Sequence, residues 1–145
     1  MCGIVGFKGY GDKNAVFETI MALEKLEYRG YDSSGIAYLH NGTTFLTKQP
    51  GCVEDLLLKI DPNSYSNNCI GHTRWATHGK PSRRNAHPHT TFDLRLSIVH
   101  NGIIENYVAL KKELELKRYK FLSDTDTEVL LYLIYDHLVK DKVTL

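Results

Sequence analysis

The chain has 145 residues, with 18 Lys+Arg against 17 Asp+Glu and a formal net charge of +1. Such a length suits one domain with a real core, and 42% hydrophobic with 24% charged residues excludes a disordered chain. The near-zero charge argues against a dedicated nucleic-acid binder, and no apolar run approaches the roughly 20 residues of a membrane span, so neither nucleic acid nor membrane is an expected partner.

In chain order, the short apolar, glycine-bounded run 2–7 predicts a buried strand. Val16, Ile20, Leu23 and Leu26 keep helical spacing, so 14–27 predicts a helix that Gly30 stops. Two β-like runs, 35–40 and 43–48, flank Asn41-Gly42, the strongest short-range hairpin signal in the chain. A short helix is expected over 52–60, a polar loop from Pro62 to Asn68, and a strand from Cys69 to Arg74. The stretch 75–92, with Gly79, Pro81 and Pro88, predicts a long irregular loop of the kind that carries function. Leu94–Val99 predicts a strand, 105–117 a helix with Leu110 and Leu114 on one face, and Tyr119–Leu122 a short strand. Thr125 opens a last helix, with Glu128 placed for a capping box. Strands and helices interleave without βαβ regularity, which points to an α+β architecture of layered sheets.

Cys2, Cys52 and Cys69 are odd in number and widely spaced, and no basic-then-apolar leader precedes them. That pattern predicts reduced thiols and a cytoplasmic location. Cys69-x-x-His72, His78, His87 and His89 could offer metal ligands, but no CxxC or HExxH occurs and the spacing fits no common zinc pattern. No metal or cofactor is expected.

Four stretches could carry chemistry. Loss of Met1 would give Cys2 a thiol and a free α-amine together. An amine titrates near about 7.7–8.0 and a thiol near about 8.5, so moving the proton from sulfur to nitrogen costs only about 1 kcal/mol. The amine then serves as the base a nucleophile needs; a small buried cysteine at a strand start is the bland alternative. The run 72–79, HTRWATHG, combines Arg74, whose planar fork grips a carboxylate, with Trp75, Thr77 and His78. It is either a recognition loop for a small acid or a surface loop. His-Asn-Gly occurs at 40–42, where a turn explains it, and at 100–102, where Asn101 and Gly102 could place two donors side by side as an oxyanion hole. The acidic run 123–128 suits helix capping, or one aspartate could hold an ammonium group.

Taken together, CGIVG at 2–6, LEYRGYDSSG at 26–35, HTRWATHG at 72–79, NAHPH at 85–89, VHNGIIEN at 99–106 and SDTDTE at 123–128 resemble the glutaminase domain of class II glutamine amidotransferases, an N-terminal nucleophile family. Amidophosphoribosyltransferases typically carry Gln where Tyr31 stands and Tyr where Trp75 stands, so the resemblance favours the branch that delivers ammonia to fructose 6-phosphate. It implies a four-layer αββα sandwich, incomplete at its C-terminal side, with residues 1–145 forming a partial glutaminase domain and the sugar-isomerase domains absent. Cys2 would be the nucleophile, and Asn101 with Gly102 the oxyanion hole. Arg74 would hold the glutamine carboxylate and Asp126 its ammonium. Trp75, Thr77 and His78 would shape the pocket, and Arg29 and Gly30 would support it. Glutamine is the implied substrate; fructose 6-phosphate would be reached only through the missing region, and the parent would be a homo-oligomer. The alternatives are an inactive truncated or interaction module and the phosphoribosyl branch.

Overall fold

The computed structural model describes residues 2–9, 12–75 and 80–140. Its central hairpin joins β2 (Ser33–His40) to β3 (Thr43–Pro50), in register from Ser33↔Pro50 to His40↔Thr43. Asn41 and Gly42 turn the chain with φ of 49° and 78°, the double positive φ that matches the twist of paired strands. β1 (Gly3–Lys8) and β4 (Asn68–Arg74) complete an antiparallel sheet in the order β1-β4-β2-β3.

Helix α1 (Ala15–Leu26) covers one face of this sheet. Asn14 caps it, its side-chain oxygen accepting from Val16 N at 3.1 Å, as a short polar side chain does for otherwise orphaned amides. Val16, Ile20 and Leu23 are buried against Ile36 and Tyr38 of β2 and Cys69 of β4, with Val53 and Leu56 of α2 (Val53–Leu57) closing the layer. Gly71 permits this approach, since a Cβ there would lie 2.7 Å from Thr19 Cγ2 and 2.8 Å from Leu23 Cδ1.

The opposite face meets a second layer. Gly35 marks the closest approach: a Cβ on it would lie 2.2 Å from the His87 carbonyl oxygen. Beyond lie β5 (His89–Thr90), paired with β6 (Ser97–Ile98), and then α4 (Asp126–Lys140), which packs on both strands and on α3 (Tyr107–Leu116). Leu114, Val129, Tyr132 and Tyr135 form the second core, with Tyr119 and Phe121 packed against it. The layer order is helix, sheet, sheet, helix, an α+β sandwich whose second sheet has two short strands among the described residues.

Five expectations need correction. The helix before Gly30 passes into a 3-10 turn, Glu27–Arg29, and Gly30 itself is extended at φ −174° rather than left-handed. Its glycine character answers a close approach instead, because a Cβ would lie 2.6 Å from Arg74 C. The strand over 94–99 shrinks to Ser97–Ile98, because Asp93 accepts from Thr91 Oγ1 at 2.7 Å and Arg95 N at 3.2 Å and turns the chain, with Leu94 at φ 60°. The irregular stretch 75–92 is interrupted by β5. Tyr119–Leu122 forms no strand: the Tyr119 and Phe121 rings pack on Tyr132 at 5.3 and 5.5 Å, and Leu122 N donates to Glu128 at 2.9 Å. That same carboxylate accepts from Ser123 N and Ser123 Oγ, each at 2.6 Å, so Glu128 ties the entering loop to α4 instead of closing a box with Thr125.

Candidate active site

The β1–β4 ladder sets the site. Gly3 pairs with Thr73, so Cys2 lies where β4 runs out into Arg74 and Trp75. The Cys2 thiol accepts from Trp75 N at 3.2 Å and approaches Trp75 O at 3.6 Å. Gly3 and Gly30 allow this crowding. A Cβ on Gly3 would lie 2.6 Å from Thr73 Oγ1, and one on Gly30 would lie 2.8 Å from Arg74 O and 2.9 Å from Trp75 N.

Cys2 opens onto a cavity of about 430 Å3, inside the range of small-molecule sites, about 300–1,000 Å3. Arg29, Arg74, Trp75, Asn101, Gly102 and Asp126 line it too. Segments from β1, the end of β4, the loop after β6 and the start of α4 therefore converge on one space. Arg74 is buried, and Asp126, also buried, accepts from Ile104 N at 2.8 Å, which pins the 100–104 loop to the first turn of α4. A guanidinium and a carboxylate in one cavity match the two poles of an amino acid. Trp75 is exposed and stands edge-on to Tyr31, with ring centroids 5.5 Å apart. Arg29 lies at the cavity wall, its Nε donating to Tyr28 Oη at 3.0 Å. Gly30 lies close against the 74–75 backbone. Thr77 and His78 lie outside the described residues.

Asn101 lies next to the nucleophile candidate. Its Nδ2 donates to Cys2 O at 3.0 Å, and His72 Nε2 donates to its Oδ1 at 2.9 Å. Gly102 has φ 139°, a conformation that favours glycine, and a Cβ there would lie 3.1 Å from His100 Nε2.

His72 and His87 also line the cavity and form a cluster with His89, histidines that the sequence offered only as metal ligands. The rings of His72 and His87 are 4.3 Å apart, and those of His87 and His89 4.8 Å. Burial pushes His72 down to about 4, Arg74 acting in the same direction against hydrogen bonds to Asn101 and the His100 backbone. His87 falls further, through burial and then the neighbouring His72, His89, Arg74 and Lys48; His89 falls through burial, then Lys48, Arg74 and His72. These rings are neutral at pH 7. One signal could have revealed His72: it stands two residues from Arg74 on one strand and hence on the same sheet face.

Solved structures with this fold exist. The glutamine phosphoribosylpyrophosphate amidotransferase from B. subtilis, complexed with ADP and GMP, matches with a TM-score of 0.78 and 26% identity over 91% of this chain and 29% of that one. The allosteric regulatory enzyme of purine biosynthesis matches at 0.77 and 27%, over 91% of this chain and 29% of that one. The fold is thus the α+β class of these amidotransferases.

The family described as a glutamine amidotransferase domain matches residues 63–141, and the chain belongs to it. That span contains Arg74, Asn101, Gly102 and Asp126, while Cys2 precedes it. Glutamine–fructose-6-phosphate aminotransferase (isomerizing) of Chlamydia trachomatis is 54% identical over 133 residues, 92% of this chain and 22% of that protein. The protein of the same name from Geobacillus kaustophilus is 50% identical over 144 residues, 99% of this chain and 23% of that protein.

Proposed function

We propose that this chain is the glutamine-hydrolysing part of a cytoplasmic, homo-oligomeric glutamine–fructose-6-phosphate aminotransferase, with residues 1–145 a partial glutaminase domain and the sugar-isomerase domains lying outside the chain. The observation that carries the reading is the convergence of Cys2, Arg74, Asn101, Gly102 and Asp126 on one cavity. Identities of 54% and 50% to the sugar-phosphate enzymes, against 26% to the phosphoribosyl enzyme, favour the first branch.

Removal of Met1 leaves Cys2 with a free α-amine. Arg74 binds the glutamine α-carboxylate through its fork, and Asp126 binds the α-ammonium, so the side-chain amide reaches the thiol. Thr77, His78 and Trp75 shape the pocket, and Arg29 and Gly30 support its wall. The Cys2 sulfur attacks the amide carbon while the α-amine takes the thiol proton. A C–S bond forms, and the carbonyl oxygen becomes an oxyanion held by the Asn101 side chain and the Gly102 N–H. An amide NH2 carries two protons; one goes to Cys2 O, leaving the other for this oxyanion. The tetrahedral intermediate collapses, the C–N bond breaks, and the protonated α-amine of Cys2 passes the former thiol proton to the leaving nitrogen, releasing ammonia. Water then hydrolyses the thioester to glutamate.

Cys2→Ala in the intact protein tests the reading by glutamate release. Loss of detectable hydrolysis with unchanged thermal melting is expected. Wild-type turnover by that variant removes Cys2 from the chemistry.

A further inference from the structure

We propose that His72 is a positioning residue for this hydrolysis: its Nε2–H holds the Asn101 carboxamide with the NH2 end toward Cys2, so that the oxyanion meets a donor rather than a lone pair. The inference rests on the glutaminase reading above and adds the residue that orients the oxyanion hole.

An asparagine amide has nearly the same shape when turned by 180°, so hydrogen-bond partners decide which end faces the reaction. Asn101 lies in an exposed loop outside any helix or strand, and packing does little to fix it. Two contacts do: Cys2 O faces its Nδ2 at 3.0 Å, and His72 Nε2 faces its Oδ1 at 2.9 Å. An amide oxygen only accepts, so His72 must carry its proton on Nε2.

His72 is itself held rigidly. It is 1% exposed, sits within β4 opposite Ile4 on one side and Gly35 on the other, and lies against the His87 ring at 4.3 Å. Gly35 contributes by leaving room for the His87 backbone. The orientation of an exposed loop amide is thereby tied to the central sheet. The supporting shell matters because a donor aimed at developing charge acts only when it is held in place.

Two substitutions of like polarity separate orientation from general damage. The side-chain NH2 of His72→Gln reaches about as far as Nε2, whereas that of His72→Asn stops near the Nδ1 position. In the intact protein, His72→Asn is expected to lower kcat for glutamate release by about 10- to 100-fold, below the about 10²–10³ lost on deleting an oxyanion donor outright. KM for glutamine should stay within about twofold. His72→Gln should recover most of kcat. Alkylation of Cys2 by iodoacetamide, which forms no oxyanion, should proceed at the wild-type rate in both. In an Asn101→Ala background, His72→Asn should lower kcat no further.

The inference is overturned if His72→Asn keeps wild-type kcat, if its loss persists in the Asn101→Ala background, or if alkylation slows in parallel with hydrolysis. His72→Gln reads independently of whether the asparagine variant folds: a folded glutamine variant with kcat under about a tenth of wild type also overturns it. Full activity in Cys2→Ala would instead bring down the glutaminase reading itself.

Discussion

Acid should weaken this fold well above the pH at which carboxylates titrate. His72, His87 and His89 are 1%, 5% and 4% exposed, and burial is the first cause of the lowered proton affinity of each. His72 takes a proton near 6.5 when unfolded but near about 4 when folded. Between those values the unfolded chain binds more protons, so stability is full above the unfolded value and falls as pH drops toward the folded one. At pH 5 the loss from His72 alone is about 2 kcal/mol, rising to about 3 kcal/mol below pH 4. His87 and His89 add losses of the same sign. Domains hold only about 5–15 kcal/mol in total, so the effect is large. Urea denaturation of the intact protein at pH 7.5, 6 and 5, with the slope checked for constancy, measures it. The midpoint should fall steadily, and His72→Gln should flatten the fall between pH 7.5 and 5 by about 2 kcal/mol. Asp93 and Asp124, held below the usual carboxylate range by hydrogen bonds and nearby cations, contribute only under about pH 4. A midpoint that stays level or rises between pH 7.5 and 5 refutes the reasoning.

Arg74→Lys should raise KM for glutamine by about 10- to 100-fold, since a point charge cannot reproduce a two-pronged contact to a carboxylate; steady-state glutaminase kinetics read this, and an unchanged KM contradicts it. Asp126→Asn should raise KM by a similar factor, about 10- to 100-fold, with little change in melting, because the amide oxygen still accepts from Ile104 N while the charge is gone. Gly30→Ala should lower both the melting temperature and kcat/KM, because the new Cβ would lie 2.9 Å from Trp75 N, the donor to the Cys2 thiol. Leu23→Ala should cost about 2–5 kcal/mol in urea denaturation as a cavity in the first core.

Local chemistry made parts of the fold readable. Asn41-Gly42 announced its hairpin because only a left-handed pair of residues turns twisted strands that tightly. The helical spacing of Val16, Ile20 and Leu23 announced α1 because its buried stripe lies within one element. Elements governed by distant partners were less readable. Tyr119–Leu122 has strand-like composition, yet its rings complete a helical core, its Tyr119 amide goes to Leu114 O and its Leu122 amide to Glu128. Gly30 reads as a helix stop, yet its role depends on β4, more than 40 residues later. Within the site, Cys2, Arg74 and Asn101 each carried a chemical reading beside a bland alternative, and only the family resemblance singled out Asp126 from the acidic run; the four line one cavity. His72 stood in a quoted motif without a role, because its hydrogen bond to Asn101 spans 29 residues and follows from the pairing of β4 with β1 and β2.

Mass spectrometry of the intact, active protein after reaction with a glutamine analogue electrophilic at its amide carbon probes the mature N-terminus and the nucleophile in one step. The expected product is an N-terminal peptide that begins at Cys2 and carries the label on its sulfur. An active protein whose peptide still begins at Met1, or whose label sits on another residue, would contradict the proposed chemistry.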